Sequence, residues 1–193
     1  SYNLTTKWDG APAIFAGIDP ADGKFFVGTK GVFNRNPKLN KSLADIKTNH
    51  PDKVVKGETK SAEGLRKKLV TAFTNLQKLN FTGVVQGDML FSKDEIQTAN
   101  IKGEEYIVFK PNTIIYAVPK DSDLAKEILS ANIGIVFHTE YVGGPTLADM
   151  NAKFGYDARG LGDGGNAGVW YRDAIIKDYS GQVTMTKDES ELL

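Results

Sequence analysis

The chain contains no cysteine, only two histidines and three methionines, and no surplus of either charge among its 193 residues. Without cysteine it has no disulfide and no thiolate metal ligand, a composition compatible with a reducing compartment. His50 and His138 lie far apart and lack metal-ligand spacing, which leaves no zinc site of the usual pattern. No apolar run is long enough to span a bilayer, and no charged-then-apolar leader precedes Lys7. The expectation is therefore a cytoplasmic protein with no membrane partner. With a net charge of zero, no general polyanion-binding character follows from the total.

What is present is an ordinary globular composition, 40% hydrophobic and 25% charged, enough for one sizeable core. A single domain over residues 1–193 is the expectation. Charge is unevenly spread: Asp22 to Asn80 carries 13 Lys/Arg against 5 Asp/Glu, and Glu140 to Leu193 carries 5 against 9. Such asymmetry can place a basic face toward phosphates, although solvated helix faces give the same count. The chain starts abruptly, with strand-like residues from Ser1, and is expected to be a fragment lacking upstream residues.

Two β-rich runs, NLTTKWDGAPAIFAGID and KFFVGTKGVF, are joined by DPADG and predict a hairpin. NKSLADIKTNH predicts a short helix stopping before Pro51. In SAEGLRKKLVTAFTNLQKLN, residues Leu65, Leu69, Ala72, Phe73, Leu76 and Leu79 recur at helical spacing and are expected to pack in the core. GVVQGDMLF predicts a buried strand, EYIVFKPNTIIYAV two short strands, and SDLAKEILSAN a helix capped by Ser122 or Asp121. GIVFHTEYV reads as a strand, PTLADMNAKF as a short helix, and VWYRDAIIKDYSGQVTMT as one or two closing strands. The Gly-rich stretch within residues 160–168 predicts a flexible linker or lid, because so many glycines cannot pack a core. Strands outnumber helices and most connections are hairpin-like, so the fold class is α+β with largely antiparallel sheets and flanking helices.

The residues that carry chemistry begin with KWDG, Lys7 to Gly10. Residues two apart on extended backbone share a side, so Lys7 and Asp9 can face one cleft. A lysine is a nucleophile only as the free amine, which requires burial or nearby cations. Gly10 permits a tight turn where a ligand approaches the backbone. Alone, K-x-D-G arises by chance in roughly one chain in twenty of this length. It is followed, however, by Lys30 in GTKGVF, by Asp88 in the apolar run VVQGDMLF, and by the aromatics Phe109 and Tyr116. A carboxylate such as Asp88 among valines and leucine requires a partner, and a ribose hydroxyl or a metal would supply one. An aromatic such as Tyr116 or Phe109 could stack on a base.

In this order the motifs resemble those of the covalent nucleotidyltransferases, the superfamily of ATP-dependent DNA and RNA ligases and mRNA capping enzymes. The nearer likeness is to RNA-ligase-type members and to uncharacterised bacteriophage proteins with the same K-W-D-G-A-P-A run. The resemblance implies antiparallel sheets enclosing a nucleotide cleft. It further implies attack of a lysine on the α-phosphate of ATP with Mg²⁺ or Mn²⁺, a lysyl-adenylate, and transfer to a polynucleotide end, RNA or DNA. It makes Lys7 the nucleophile and Asp9 its supporting acid, beside Gly10. It sets Lys30 near phosphate or ribose, Asp88 at the ribose or metal, and Tyr116, with Phe109 as alternative, against the base.

The likeness covers about Asn3 to Val118. Beyond it, the family's acid-Gly strand ending in lysine is matched by order in IGIVFH, with Ile133 in the acid place and His138 in the lysine place. By spelling, EYIVFKP fits better, with Glu105 and Lys110. The final paired lysines have only Arg172 and Lys177 as counterparts. By itself His138 on an apolar strand reads as a satisfied core histidine, His50 as a helix-end residue, and Trp8 and Trp170 as packing residues. Two other readings stay open: a nucleotide- or nucleic-acid-binding module that has lost transfer activity, and a phage structural or interaction protein whose KWDG is a hairpin feature.

Overall fold

The computed structural model describes residues 12–173 and the short strand 183–185. KWDG, with Lys7, Asp9, Gly10 and Trp8, and Lys177 lie outside the described residues. In chain order the elements are β1 (Ala13–Ile18), β2 (Phe25–Gly28), α1 (Leu43–Asn49), β3 (Lys53–Val55), β4 (Glu58–Lys60) and α2 (Glu63–Leu76). They continue as β5 (Val84–Ser92), β6 (Gln97–Ile101), β7 (Glu104–Phe109), β8 (Ile115–Pro119), α3 (Asp123–Leu129) and β9 (Ile133–Gly143). The last are β10 (Met150–Phe154), α4 (Gly164–Ala167), β11 (Val169–Asp173) and β12 (Val183–Met185).

The long apolar run of β5 predicts a strand buried on both faces, and it occupies the middle of the first sheet, ordered β10-β9-β5-β1-β2. All of those pairings are antiparallel; β11 lies parallel to the first half of β9 and shares that edge with β10. A second antiparallel sheet runs β12-β8-β7-β6, and β3-β4 is a separate two-stranded hairpin. The architecture is thus α+β with mostly antiparallel sheets.

Alternation along the strands sorts the first sheet into two faces. One face, with Ile14, Ala16, Val27, Val85, Met89, Ile135 and Phe137, packs under Leu69, Ala72 and Leu76 of α2. Those three helix residues recur at i, i+3 and i+7 and are fully buried, as the spacing predicts. Leu65 departs from the expectation: although it continues the same stripe one turn earlier, it lies 36% exposed at the first turn of α2. The opposite face carries two apolar clusters. Phe15, Phe26, Val84 and Leu147 gather at one end, and Phe91, Val136 and Trp170 meet Phe109, Tyr116 and Ile128 of the second sheet and α3 at the other. Phe91 lies over Gly134, where a Cβ would come within 2.0 Å of its ring.

Several elements differ from the sequence reading. The stretch 145–154 forms a 3₁₀ turn (Leu147–Asp149) and then strand β10, because it finds the free edge of β9. The Gly-rich stretch is ordered rather than linker-like. Asp163 caps α4 through hydrogen bonds from the Gly165 and Asn166 amides, and Leu161 and Ala167 are buried against the core. Hairpins β3-β4 and β6-β7 were not legible: each turns on a Lys-Gly pair, Lys56-Gly57 and Lys102-Gly103, with positive φ at both residues. Ser122 caps α3, with its hydroxyl accepting from the Ala125 amide, and His50 ends α1 as expected.

Candidate functional site

Between the two apolar clusters, the face of the first sheet opposite α2 carries a polar band. Its residues come from the central strands β5 and β9. Gln86 pairs with Thr139 and Asp88 with Val136, and the register shifts between Gln86 and Gly87 so that His138 is left unpaired on β9. This is a β-bulge, which re-aims a side chain and interrupts an otherwise apolar strand. Gly87 makes it possible: a Cβ there would meet the Val136 carbonyl oxygen at 2.7 Å.

The bulge brings His138 to Asp88, with Nε2 3.4 Å from the Asp88 Oδ2. The His138 Nδ1 lies 2.7 Å from the Thr139 hydroxyl, which is buried. Thr139 thereby fixes the ring and leaves Nε2 toward the carboxylate. The side chains of Asp88 and His138 remain 17% and 29% exposed, so a ligand can reach both. Next along β5, Gln86 Oε1 accepts from the Tyr141 hydroxyl at 3.0 Å, and burial pushes the Tyr141 phenol up. The Tyr141 ring packs on Phe15 and Phe33 at centroid distances of 5.7 and 4.7 Å.

Lys30 is placed in relation to this band by the same aromatics. Strand β2 ends at Gly28, so Lys30 does not end a strand but opens a 3₁₀ turn, Lys30–Phe33, capped by Thr29. Lys30 is exposed, while Phe33 at the turn's other end packs on Phe15 and Tyr141. Gly28 pairs with Phe15 and Ala13 with Asp88, so Lys30 and Asp88 belong to the same end of the first sheet.

Phe109 and Tyr116 do not join them. Their rings stack on each other at 5.5 Å and 18°, are 5% and 2% exposed, and belong to the core between the second sheet and α3. In this arrangement both serve packing. The half-buried aromatics on the polar-band face are instead Phe33 and Tyr141, which the sequence reading missed. The available signal was Phe33 in GTKGVF, three residues after Lys30, together with the i, i+2 alternation from Thr139 to Tyr141.

The later-motif residues are already committed elsewhere. Ile133 is fully buried under α2, and Glu105 pairs with Lys120 at 3.3 Å. Arg172 donates to Glu127 at 2.8 Å and lies 4.7 Å over the Trp170 ring, at a cavity of about 510 Å³ that Arg159 and Asp163 also line. Among the described residues no group of three His, Asp or Glu could hold a metal ion; Asp88 and His138 form a pair. Among the described residues, the Asp88 carboxylate contacts His138 Nε2 through its Oδ2.

The described residues thus define an α+β protein whose mostly antiparallel first sheet carries a carboxylate-imidazole band at a bulge in its centre. Over residues 1–193 the chain belongs to a family of unknown function, DUF6267. No curated protein and no solved structure matches it. No helix among the described residues is long and apolar enough to cross a membrane.

Proposed function

We propose that the chain is a lysine-adenylating nucleotidyltransferase of the ligase type, with Lys7 as nucleophile, ATP as nucleotide and a polynucleotide end as acceptor. One observation carries the reading: the KWDG run leads directly into the strand that borders Asp88. The Pro12 carbonyl accepts from the Met89 amide at 2.9 Å, and Ala13 pairs with Asp88. Gly10 precedes Pro12 by two residues, a chain reach of about 7 Å. Pro12, the second residue after Gly10 in the sequence, is thus the described residue that leads into the polar band.

In the proposed step the neutral Lys7 amine attacks the α-phosphorus of ATP. The P–N bond forms as the bond to the bridging oxygen breaks, pyrophosphate leaves with that electron pair, and the nitrogen releases one proton to solvent to give the phosphoramidate. The amine must first lose its ammonium proton, which makes nearby cationic groups and Asp9 the controls on its reactivity. Asp88 would hold the ribose hydroxyls or Mg²⁺, and the cation would supply charge neutralisation at the phosphates. Lys30 would supply a further positive charge from the 3₁₀ turn, and Phe33 and Tyr141 the apolar surface beside the band. The second half of the proposed cycle, transfer of AMP to a polynucleotide end, belongs to the same class of chemistry.

Incubation with α-labelled ATP and Mg²⁺ or Mn²⁺, followed by denaturation, is expected to leave covalent label that is acid-labile and alkali-stable. Absence of label from folded protein would remove the reading. A second reading, a nucleotide-binding module without transfer, is favoured by one fact: Ile133, His138 and Arg172 stand in the places of the later acid and lysines and are engaged in core or pairing contacts. Saturable ATP binding with no covalent label would select it.

A further inference from the structure

Between α1 and α2 the run KVVKGETK, Lys53 to Lys60, folds into the β3-β4 hairpin, and every residue of it is exposed. Lys53 lies directly opposite Lys60 in its register. Like charges facing each other across an antiparallel pair repel, so nothing in the hairpin's own stability favours this arrangement. Among the described residues, Lys38, Lys53, Lys56 and Lys60 have no carboxylate within 4.0 Å, whereas Arg66 beside them is paired with Asp52 at 3.0 Å. Glu58 is the one acid of the hairpin, and it opposes Val55. The positive potential converges inward as well: burial, and then the charges of Lys38, Arg66 and Lys53, hold the His50 imidazole below its usual range.

This basic group is continuous with the candidate site. The segment after the Lys30 turn returns along β2, with the Lys38 amide donating to the Gly31 carbonyl at 3.0 Å and Asn40 bridging Val27. Asn40 in turn contacts His50 Nε2 at 3.0 Å, and the hairpin begins three residues later, at Lys53. Among the described residues, lysines with no carboxylate within 4.0 Å therefore occur at Lys30, at the Asp88 end of the first sheet, at Lys38 on the segment beside β2 and in the hairpin, while Lys41 between them is paired with Asp19 and Asp22. Val54 and Val55, 73% and 45% exposed, add apolar surface with no protein partner in the core clusters. Spaced lysines interleaved with small apolar groups fit a repeating phosphodiester backbone better than a single small anion.

We propose that the β3-β4 hairpin, with Lys38 at its base, is a docking surface for the sugar-phosphate backbone of a polynucleotide strand. Lys53, Lys56 and Lys60 contact phosphates, and the two valines contact sugars or exposed bases. The partner class rests on the nucleotidyltransferase reading, but the surface is tested without any transfer step.

The test measures fluorescence anisotropy of a fluorescein-labelled 24-nucleotide RNA, single-stranded and as a duplex, over a range of KCl concentrations without ATP. The full chain is compared with Lys53→Gln/Lys60→Gln, with Lys53→Arg/Lys60→Arg, and with Lys126→Gln/Lys153→Gln as a remote control. The glutamine pair is expected to weaken binding about tenfold near 0.1 M salt and to flatten the log–log salt slope by about 1.4–1.8, two phosphate contacts' worth. The arginine pair and the remote control are expected to bind as the full chain does. Circular dichroism melts should show the glutamine pair folded, since it removes a like-charge pair from an exposed hairpin. No RNA binding by the full chain, an unchanged slope in the glutamine pair, an equal loss in the remote control, or binding only to phosphatidylserine vesicles would each overturn the proposal. RNA binding with no lysyl-adenylate would leave this surface standing while removing the transfer reaction.

Discussion

The two sheets are built from similar apolar strands and treat polar residues in opposite ways. In the second sheet, β6, β7 and β8 pair without a register break, and polar side chains stay at the strand ends and on the solvent face. In the first sheet, β5 and β9 break register twice, once between Gln86 and Gly87 and once between Met89 and Phe91. The first break presents His138 to Asp88 on the central strands of the first sheet. A regular ladder would have to bury these groups against apolar neighbours without partners, at a cost of several kcal/mol in desolvation. The bulge and the glycine beside it bring two polar groups together on a core strand, while the second sheet packs its apolar face against Phe91, Val136 and Trp170.

That difference can be broken from either side, and the largest effect is expected at the carboxylate. Asp88→Ala should lower formation of the lysyl-nucleotide about 100-fold or more, because it removes the group that would hold ribose or metal. Quantifying label per folded chain checks it, and full labelling would dissociate Asp88 from the chemistry. Next comes packing. Gly134→Ala sets a methyl against the Phe91 ring, which lies within 2.0 Å of the new Cβ, and should cost about 2–3 kcal/mol in urea unfolding. Gly103→Ala, in the regular second sheet, meets nothing within 4 Å and is strained only by its φ of +86°, so about 1 kcal/mol is expected. Equal costs would mean the two sheets are not packed as differently as described.

A smaller effect is expected from Tyr141→Phe, which removes the donor to Gln86 Oε1 and should cost about 1 kcal/mol. The smallest effect is that of pH on His50. Its folded-state pKa lies below the ordinary 6.5, through burial first and then the neighbouring cations. The unfolded chain therefore binds the proton more readily. The contribution is fully present above about pH 6.5 and is lost as pH falls below it. His50→Gln should flatten that part of the stability profile, measured by urea titration at several pH values. A slope unchanged by the substitution would assign the pH dependence to other groups.

Much of the frame was legible because it rests on strong local signals. The β1-β2 hairpin carries a Pro and an Asp-Gly turn, α2 carries apolar residues at helical spacing, and β5 and β9 are long apolar runs. The exposed hairpin and β6 were not, since they turn on Lys-Gly rather than Asn-Gly and have little apolar alternation. The stretch Met150–Phe154 became a strand only because β9 offered an edge, a tertiary fact that no local propensity contains. In the site, the motif order brought Asp88 and His138 forward, and the structure sets them side by side. It could not anticipate that Phe109 and Tyr116 would stack on each other inside a core, or that Phe33 and Tyr141 would flank the polar band instead.

The most direct test of the central claim is intact-mass spectrometry of the full chain after incubation with ATP and Mg²⁺, beside the Lys7→Ala variant. The account predicts a gain of one adenylyl group on the full chain, mapped to the peptide that holds Lys7, and none on the variant. An unmodified mass from folded protein, or an adenylyl group that persists in Lys7→Ala, would contradict it.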